Sequence, residues 1–341
     1  MFSARAAWPP GVSAREGCIT LAPELTQRLF WLEPQYRERV WGGQRLKAAD
    51  PPVGEAWVAF GESVVSEGEH AGQTVAELAA RYGAALLGEE AASRFGPRFP
   101  LLVKLLDCAD WLSVQVHPDD EQARRLVGPD ASGKTEAWHL IETEPGAAIL
   151  AGTKPGTTRE ELAAAIKGGN ILEVARRLEV HAGETYLLPA GTLHSLGPGL
   201  LLYEVQQASD TTYRVYDWGR PARAGRELHI EESVAVTDPQ KGALLTPASV
   251  PEGTRCATAV RCPYFALDLL QLTGTPMKAD TEGNSFHVLT ASAGAVDVTR
   301  GGERVRLGRH ETALVAGLAG PYEIHAEDGT ASVLRAAVPG R

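Results

Sequence analysis

The stretch Gly183-Glu-Thr-Tyr-Leu-Leu-Pro-Ala-Gly-Thr-Leu-His194 carries the densest pattern in this chain. It consists of a glycine, five residues, Pro-x-Gly, two residues and a histidine. Upstream, Gln115 and His117 stand two residues apart in Gln-Val-His-Pro. Side chains two apart on a strand point to one face of a sheet, and a Pro-x-Gly turn can fix the approach of a following histidine. The two segments therefore predict a metal site inside a small β-barrel.

Four side chains make up the predicted metal-ligand set. They are the imidazoles of His117 and His194, the carboxylate of Glu136 and the amide oxygen of Gln115. Such a borderline donor set suits zinc and leaves positions open for a substrate. A single Gln-x-His on a strand is more often plain packing, so the prediction depends on the four residues occurring together.

The rest of the chain predicts a mainly β fold. The 341 residues include 36 glycines and 22 prolines, and short alternating segments recur between them, as in barrels. One strand-like run covers residues 29–40. Helical spacing is confined to residues 74–87, a polar helix starting at Pro118, and residues 156–180, where Thr158-Arg-Glu-Glu161 is a capping box. Because the segments after Phe265 echo the first barrel, we expect two jelly-roll β-barrels with a small helical insertion in the first.

Composition limits the partners and the compartment. The net charge of −10 argues against a nucleic-acid surface. No run of 18 apolar residues suggests a membrane span, and residues 1–20 lack the apolar core of a signal peptide. The four cysteines show no Cys-x-x-Cys pairing, which favours a reducing compartment. We therefore expect a cytoplasmic protein without nucleic-acid or membrane partners.

One motif matches the pattern of a nucleotide-binding loop, but its surroundings argue against that interpretation. Residues 128–135, Gly-Pro-Asp-Ala-Ser-Gly-Lys-Thr, match the regular expression of a phosphate-binding P-loop. That motif needs a buried strand before it and a helix after it. Here a polar predicted helix precedes the motif and an apolar predicted strand follows it. The sequence thus argues against an ATP-binding kinase, and leaves Lys134 as a cation two residues from Glu136.

A resemblance to a known family rests on five segments. Together they resemble type I mannose-6-phosphate isomerase (phosphomannose isomerase) in its short bacterial form, a member of the cupin superfamily. The segments are Glu38-Arg-Val-Trp-Gly-Gly43, Leu112-Ser-Val-Gln-Val-His-Pro-Asp119, Gly133-Lys-Thr-Glu-Ala-Trp138, Pro189-Ala-Gly-Thr-Leu-His194 and Glu204-Val-Gln-Gln-Ala-Ser-Asp-Thr-Thr-Tyr-Arg-Val-Tyr-Asp217. The resemblance runs from about residue 28 to the carboxyl end, and residues 1–27 form a tail outside it.

The resemblance implies a domain plan and a cofactor. Residues 28–255 would form the catalytic cupin domain, with the helical insertion at about 156–180. Residues 256–341 would form a degenerate cupin barrel without metal, since no histidine stands near Gly317. One zinc ion per chain would be bound by His117, Glu136 and His194, with Gln115 as the fourth ligand.

The implied reaction interconverts mannose 6-phosphate and fructose 6-phosphate through an enediolate. It needs a Lewis acid, a base and an anchor for the phosphate. The catalytic candidates are Arg214, which the resemblance implies, together with Glu204 and Lys134. Substrate-binding candidates are Ser113, Lys134, Arg214 and Asp210. The base stays open between Glu204, Asp210 and Lys134.

Two other functions remain as alternatives. A degenerate cupin could bind a sugar phosphate without turning it over. An iron cupin oxygenase would use two histidines and one carboxylate, which this set also contains. The sequence does not indicate an oligomeric state.

Overall fold

A computed structural model describes residues 24–221, 226–246 and 250–340 of the chain. Most of the predicted tail, residues 1–23, lies outside the described residues. Strands supply most of the regular structure of the described part, which confirms the mainly β prediction.

The described residues form a long series of strands interrupted by short helices. The strands are β1 (Leu29–Leu32), β2 (Gln35–Gly43), β3 (Val53–Ala59), β4 (Leu101–Cys108), β5 (Val114–Val116), β6 (Glu136–Thr143), β7 (Ala148–Thr153), β8 (Ala175–Glu179), β9 (Thr185–Leu188), β10 (His194–Leu196), β11 (Leu200–Gln207), β12 (Tyr213–Tyr216), β13 (Leu244–Thr246), β14 (Cys256–Arg261), β15 (Ala266–Thr273), β16 (Met277–Asp280), β17 (His287–Ala293), β18 (Val296–Arg300), β19 (Glu303–Leu307), β20 (Thr312–Val315), β21 (Pro321–Ala326) and β22 (Thr330–Ala337). The α-helices are α1 (Val75–Tyr82), α2 (Ala84–Leu87), α3 (Glu89–Phe95), α4 (Asp120–Leu126), α5 (Arg159–Gly168) and α6 (Ile230–Val236).

The first barrel is built from two sheets. One has the strand order β12-β5-β10-β7-β8, and the other has the order β13-β9-β6-β11-β4-β2-β3. Buried side chains from both sheets share one core cluster, among them Leu106, Trp138, Ile149 and Leu196. The two sheets therefore pack face to face, as in a jelly roll, and β5, β10, β6 and β11 bring their side chains toward a common interior.

The second barrel also has two sheets. Their orders are β1-β20-β17-β22-β15-β14 and β16-β21-β18-β19. Its core is continuous with helices α1 to α3 and with residues of β3, β4 and β11, so the two barrels share buried apolar surface. Short alternating segments of this half of the sequence, at residues 285–291 and 332–336, overlap β17 and β22.

Strand β1 pairs with a strand of the second barrel, although it lies in the segment that was expected to form the first. Residues 28–255 were expected to form the catalytic domain, but β1 pairs antiparallel with β20, with Leu29 opposite Val315 and Leu32 opposite Thr312. The strand-like run 29–40 is interrupted at Glu33-Pro34. Because a proline lacks the N–H that a ladder needs, β1 and β2 separate and join different sheets. The boundary at residue 255 stays a prediction.

The helical insertion is only half helical. The capping box is confirmed: the Thr158 hydroxyl accepts the N–H of Glu161, and the Glu161 carboxylate accepts the N–H of Thr158. Helix α5 ends at Gly168, a short 3-10 turn follows at residues 171–173, and β8 then occupies the end of the segment that was expected to be helical. Pairing of β8 with β7 overrides the local helical spacing there.

Helix α4 begins two residues later than predicted. Pro118 was expected at its first position, but Asp119 is the N-cap, with its carboxylate accepting the N–H of Gln122 at 2.8 Å. A carboxylate cap satisfies a free N–H at the helix start. Asp120 is therefore the first residue of α4, directly after the segment that carries His117.

The core between the two barrels yields a stability prediction. Phe286 has no exposed surface, and its ring centroid lies 4.6 Å from that of Phe99. We expect Phe286→Ala to reduce the free energy of unfolding by about 3–5 kcal/mol, because the cavity persists in a packed core. Urea denaturation followed by circular dichroism measures this. Leu172→Ala, at a side chain 41% exposed, should change the same quantity by about 0.5 kcal/mol or less, and equal effects would contradict the prediction.

Candidate metal centre and active-site cleft

Three of the four predicted metal ligands meet inside the first barrel. His117 follows β5, Glu136 begins β6 and His194 begins β10, and all three side chains are buried. Their ligand atoms lie within 4.8 Å of one another. Glu136 Oε2 is 3.4 Å from His117 Nε2, and Glu136 Oε1 is 3.3 Å from His194 Nε2. Two strands of one sheet and one strand of the facing sheet thus bring three donors together.

Backbone carbonyls orient both imidazoles. His117 Nδ1 is 3.0 Å from the carbonyl oxygen of Thr211, and His194 Nδ1 is 2.9 Å from that of Thr192. A carbonyl only accepts, so each Nδ1 carries the proton and each Nε2 offers its lone pair toward Glu136. Burial, followed by Lys134, holds the pKa of His117 well below its ordinary value, and burial also lowers the pKa of His194. Both rings are therefore neutral at neutral pH, as metal ligands must be.

The cluster fits a divalent metal. Within the part of the chain that the structure describes, Glu136 Oε1 and His194 Nε2 are buried without a hydrogen-bond partner. Leaving such atoms unpaired costs free energy, and a bound cation would satisfy both. Two imidazole nitrogens and a carboxylate oxygen are donors that zinc accepts while keeping a position open.

Residue pairing across the neighbouring strands β10, β5 and β12 places Gln115 beside this cluster. In the antiparallel ladders, Gln115 is opposite His194 on one side and opposite Arg214 on the other. Gln115 also lines the cleft in front of the cluster. Its role as a metal ligand stays a prediction.

The cleft has a volume of about 560 Å³ and is lined mainly by polar side chains. It collects every predicted substrate-binding or catalytic residue, namely Ser113, Lys134, Glu204, Asp210 and Arg214. A larger hollow of about 690 Å³ lies between the two barrels and is lined by His139 and Glu184 among mostly apolar or uncharged residues. We place the chemistry in the smaller cleft, because the metal cluster and the cations adjoin it.

Lys134 reaches the metal cluster itself. Its buried Nζ lies 2.9 Å from His117 Nε2 and 2.8 Å from Glu136 Oε2. The P-loop interpretation is excluded by the same segment, because residues 134–135 lead into β6 and not into a helix. Lys134 is therefore a cation at the floor of the cleft.

Glu204 is bound into an ion pair that the sequence did not predict. Its Oε1 lies 3.1 Å from Lys104 Nζ, and its Oε2 accepts the indole N–H of Trp138 at 2.9 Å. Burial alone would raise the pKa of Glu204, but the charges of Lys104 and Lys134 and the two hydrogen bonds lower it to about 2. A carboxylate with so low a pKa is a poor proton acceptor near neutral pH.

Lys104 belongs to a second row of paired residues. This row lines the cleft opposite the row formed by His194, Gln115 and Arg214. Glu204 is opposite Trp138 on one neighbouring strand and opposite Lys104 on the other, and Lys104 is in turn opposite Trp57. Sequence reasoning missed Lys104 because it stands within an apolar strand, Leu-Leu-Val-Lys-Leu-Leu. A lysine in a buried strand is itself a signal, since such a charge requires a partner.

The guanidinium of Arg214 is only partly hydrogen-bonded. Its Nη1 donates to the carbonyl of Glu227 at 3.0 Å, whereas its Nε is buried and, among the described residues, has no partner. The neighbouring Arg226, also on the cleft wall, forms an ion pair with Asp217. Burial and the charge of Arg226 lower the pKa of Arg214. A partly desolvated guanidinium with a free donor is suited to an anionic ligand.

Comparison with known proteins identifies the family. The model of the phosphomannose isomerase type I catalytic domain matches residues 29–145. The mannose-6-phosphate isomerase of Streptococcus mutans is 36% identical over 294 residues, which cover 82% of this chain and 90% of that protein. The chain belongs to the type I phosphomannose isomerase family. It is therefore an enzyme with mannose-6-phosphate isomerase activity, an aldose–ketose isomerase.

Solved structures agree with this membership of the type I phosphomannose isomerase family. The crystal structure of the mannose 6-phosphate isomerase from Bacillus subtilis matches with a TM-score of 0.79 and 28% identity, covering 91% of this chain and 99% of that one. A zinc-bound mannose 6-phosphate isomerase matches with a TM-score of 0.73 and 17% identity, covering 92% and 100%, and shows the shared fold. In the described ranges, no helix has the length and apolar character of a membrane span.

Proposed function

We propose that this isomerase interconverts mannose 6-phosphate and fructose 6-phosphate through an enediolate, with one zinc ion held by His117, Glu136 and His194 and with Gln115 as the fourth ligand. The observation that carries the proposal is the pair of buried atoms, Glu136 Oε1 and His194 Nε2, that have no hydrogen-bond partner among the described residues and lie beside Lys134, which lines the cleft together with Arg214. Zinc, when bound there, supplies a Lewis acid for oxygens on the reacting carbons.

In this proposal, Lys134 holds or moves a proton next to the reacting carbons C1 and C2. The reaction removes the proton from C2 of the aldose, passes through the enediolate and returns a proton to C1, so the total composition is unchanged. The Nζ of Lys134 lies within 3 Å of atoms in the metal cluster. A group at that position could hold or move a proton beside the end of the sugar that a bound metal would polarise.

Arg214 and Ser113 bind the anionic parts of the substrate. The Nε of Arg214, which has no partner among the described residues, offers a donor to the phosphate or to the enediolate oxygen. Ser113 lies two residues before Gln115 and lines the same cleft. Asp210 adds a carboxylate for the sugar hydroxyls, which need acceptors as well as donors.

Glu204 has an electrostatic role in this proposal. It is held by Lys104 and Trp138 and stays ionised, with a pKa of about 2. Its negative charge balances the two nearby lysines, so the cleft can keep both of them buried. Of the three bases that the sequence left open, Glu204 is thus the least suited to accept a proton.

A coupled assay with and without a chelator tests the function. Purified protein should convert mannose 6-phosphate, lose this turnover when a chelator removes the metal, and regain it with zinc. Metal analysis of the untreated protein should find about one zinc per chain, the number that one ligand set holds. Chelator-resistant turnover would refute the zinc proposal. Turnover dependent on iron and oxygen would favour an oxygenase.

A further inference from the structure

Three consecutive peptide groups hold the segment that carries Lys134. The N–H of Gly133 donates to Asp120 Oδ1 at 2.7 Å, and the N–H of Lys134 donates to the carbonyl of Pro118 at 3.0 Å. The N–H of Thr135 donates to Gln207 Oε1 at 2.9 Å. The backbone that leads from Lys134 to Glu136 is thus fixed at every residue before β6 begins.

Asp120 is the centre of this arrangement. Besides the N–H of Gly133, its Oδ1 accepts Gln207 Nε2 at 3.0 Å, and its Oδ2 accepts the hydroxyl of Tyr264 at 3.0 Å. Gln207 in turn accepts the N–H of Thr135. Asp120 is therefore bonded directly to the residue before Lys134, and through Gln207 to the residue after it. A single carboxylate that accepts three hydrogen bonds from three separate segments ties those segments to one another.

Tyr264 reaches Asp120 from the other barrel. It stands two residues before β15, the strand that pairs with β14 and β22. Burial, together with the charge of Asp120, raises the pKa of Tyr264 to about 12. The phenol therefore keeps its proton and remains a donor to Asp120 at neutral pH.

The contact between the segment and α4 leaves little room for adjustment. A Cβ atom on Gly133 would lie 2.6 Å from the carbonyl carbon of Asp119 and from the nitrogen of Asp120. Both are backbone atoms, which cannot move aside as a flexible side chain can. A displacement of Asp120 would therefore be transmitted to Gly133 and to the residue after it, Lys134.

We propose that Tyr264 of the C-terminal barrel is a positioning residue for the isomerase reaction, acting through Asp120 on Lys134 and Glu136. The proposal rests on the proposed function, in which Lys134 serves the reacting carbons and Glu136 binds zinc. It gives the C-terminal barrel a part in catalysis through a single hydroxyl. A structural role alone would affect stability without changing kcat or the affinity for zinc.

The test compares two tyrosines of the C-terminal barrel. Tyr264→Phe removes the donor to Asp120 and keeps the ring. Tyr322→Phe is the matched control, because its buried hydroxyl bonds to His287 Nδ1 at 2.7 Å inside the C-terminal barrel. We expect Tyr264→Phe to lower kcat about tenfold and to weaken zinc binding about tenfold, the range found when groups that orient metal ligands are removed. Its KM should stay within about twofold of the wild-type value.

Tyr322→Phe should lower thermal stability while kcat and zinc affinity stay at wild-type values. A double-mutant cycle with Asp120→Asn checks the route. Because both substitutions weaken one contact, the combined loss of kcat should be smaller than the product of the single losses. Multiplicative losses, or equal kcat and zinc values in Tyr264→Phe and Tyr322→Phe, would overturn the proposal. If the wild-type protein failed to turn over mannose 6-phosphate, the proposed function would fail, whereas the zinc affinities would still test the Tyr264 contact.

Discussion

Replacement of His194 by alanine is expected to abolish zinc binding and isomerase activity together. The substitution removes one of the four proposed ligands and leaves Glu136 Oε1 facing a cavity. A Lewis acid contributes several kcal/mol to stabilising the transition state, so kcat/KM should fall by about 1,000-fold or more. Metal analysis of the dialysed variant and the coupled isomerase assay measure the two losses.

His139→Ala is the matched control for this prediction. His139 lies on the same strand as Glu136 but three residues away, so its side chain is on the opposite face, where its Nδ1 is 2.9 Å from Thr185 Oγ1. Burial lowers its pKa to about 4, so it is a neutral, largely desolvated imidazole, as His194 is. The control should retain zinc and turnover. Full zinc retention in His194→Ala would refute the proposed ligand set.

Replacement of Arg214 by alanine is expected to leave zinc in place and to remove most activity. Arg214 is opposite Gln115 in the ladder and is separated from the cluster by that strand. Removal of one donor to a developing negative charge costs about 100- to 1,000-fold in rate, and we expect kcat/KM to fall within that range. Arg214→Lys should restore only part of the loss, because an ammonium cannot reproduce the two-pronged contact.

Steady-state kinetics then separate the two roles of Arg214. A fall in kcat at unchanged KM indicates contact with the enediolate, whereas a rise in KM at unchanged kcat indicates contact with the phosphate. Arg177→Ala, at an exposed arginine of β8 whose Nη2 donates to the carbonyl of Gly146, is the control and should match the wild type. Wild-type kcat/KM in Arg214→Ala would remove this residue from the proposed site, and loss of zinc would make its role structural.

Local spacing was enough to predict the metal cluster. His117, Glu136 and His194 were chosen for their residue types and for their places beside turns and strands. The fold brings these three buried side chains together. Spacing succeeds here because each ligand sits at the start or end of a strand, where the turn next to it fixes its direction. The capping box of α5 was predictable for the same reason, since both of its hydrogen bonds span three residues.

Partners far apart in the chain could not be predicted in this way. Lys104 and Glu204 are 100 positions apart and meet only because β4 and β11 pair in one register. The hydroxyl of Tyr264 reaches Asp120 across 144 positions, from a different barrel. No periodicity of a single segment encodes such contacts, because the first depends on which strands pair and in what register, and the second on how the two barrels pack.

The sequence by itself therefore determined the mainly β architecture, the three residues of the candidate metal cluster and the membership of an isomerase family, because those features depend on local spacing and motif order. Only the tertiary structure decided that β1 belongs to the second barrel, that Glu204 is an ion-pair partner of Lys104, and that Asp120 accepts the N–H of Gly133 and the hydroxyl of Tyr264. Strand register and barrel packing fix these relations, since one register shift would reverse the face on which each side chain lies.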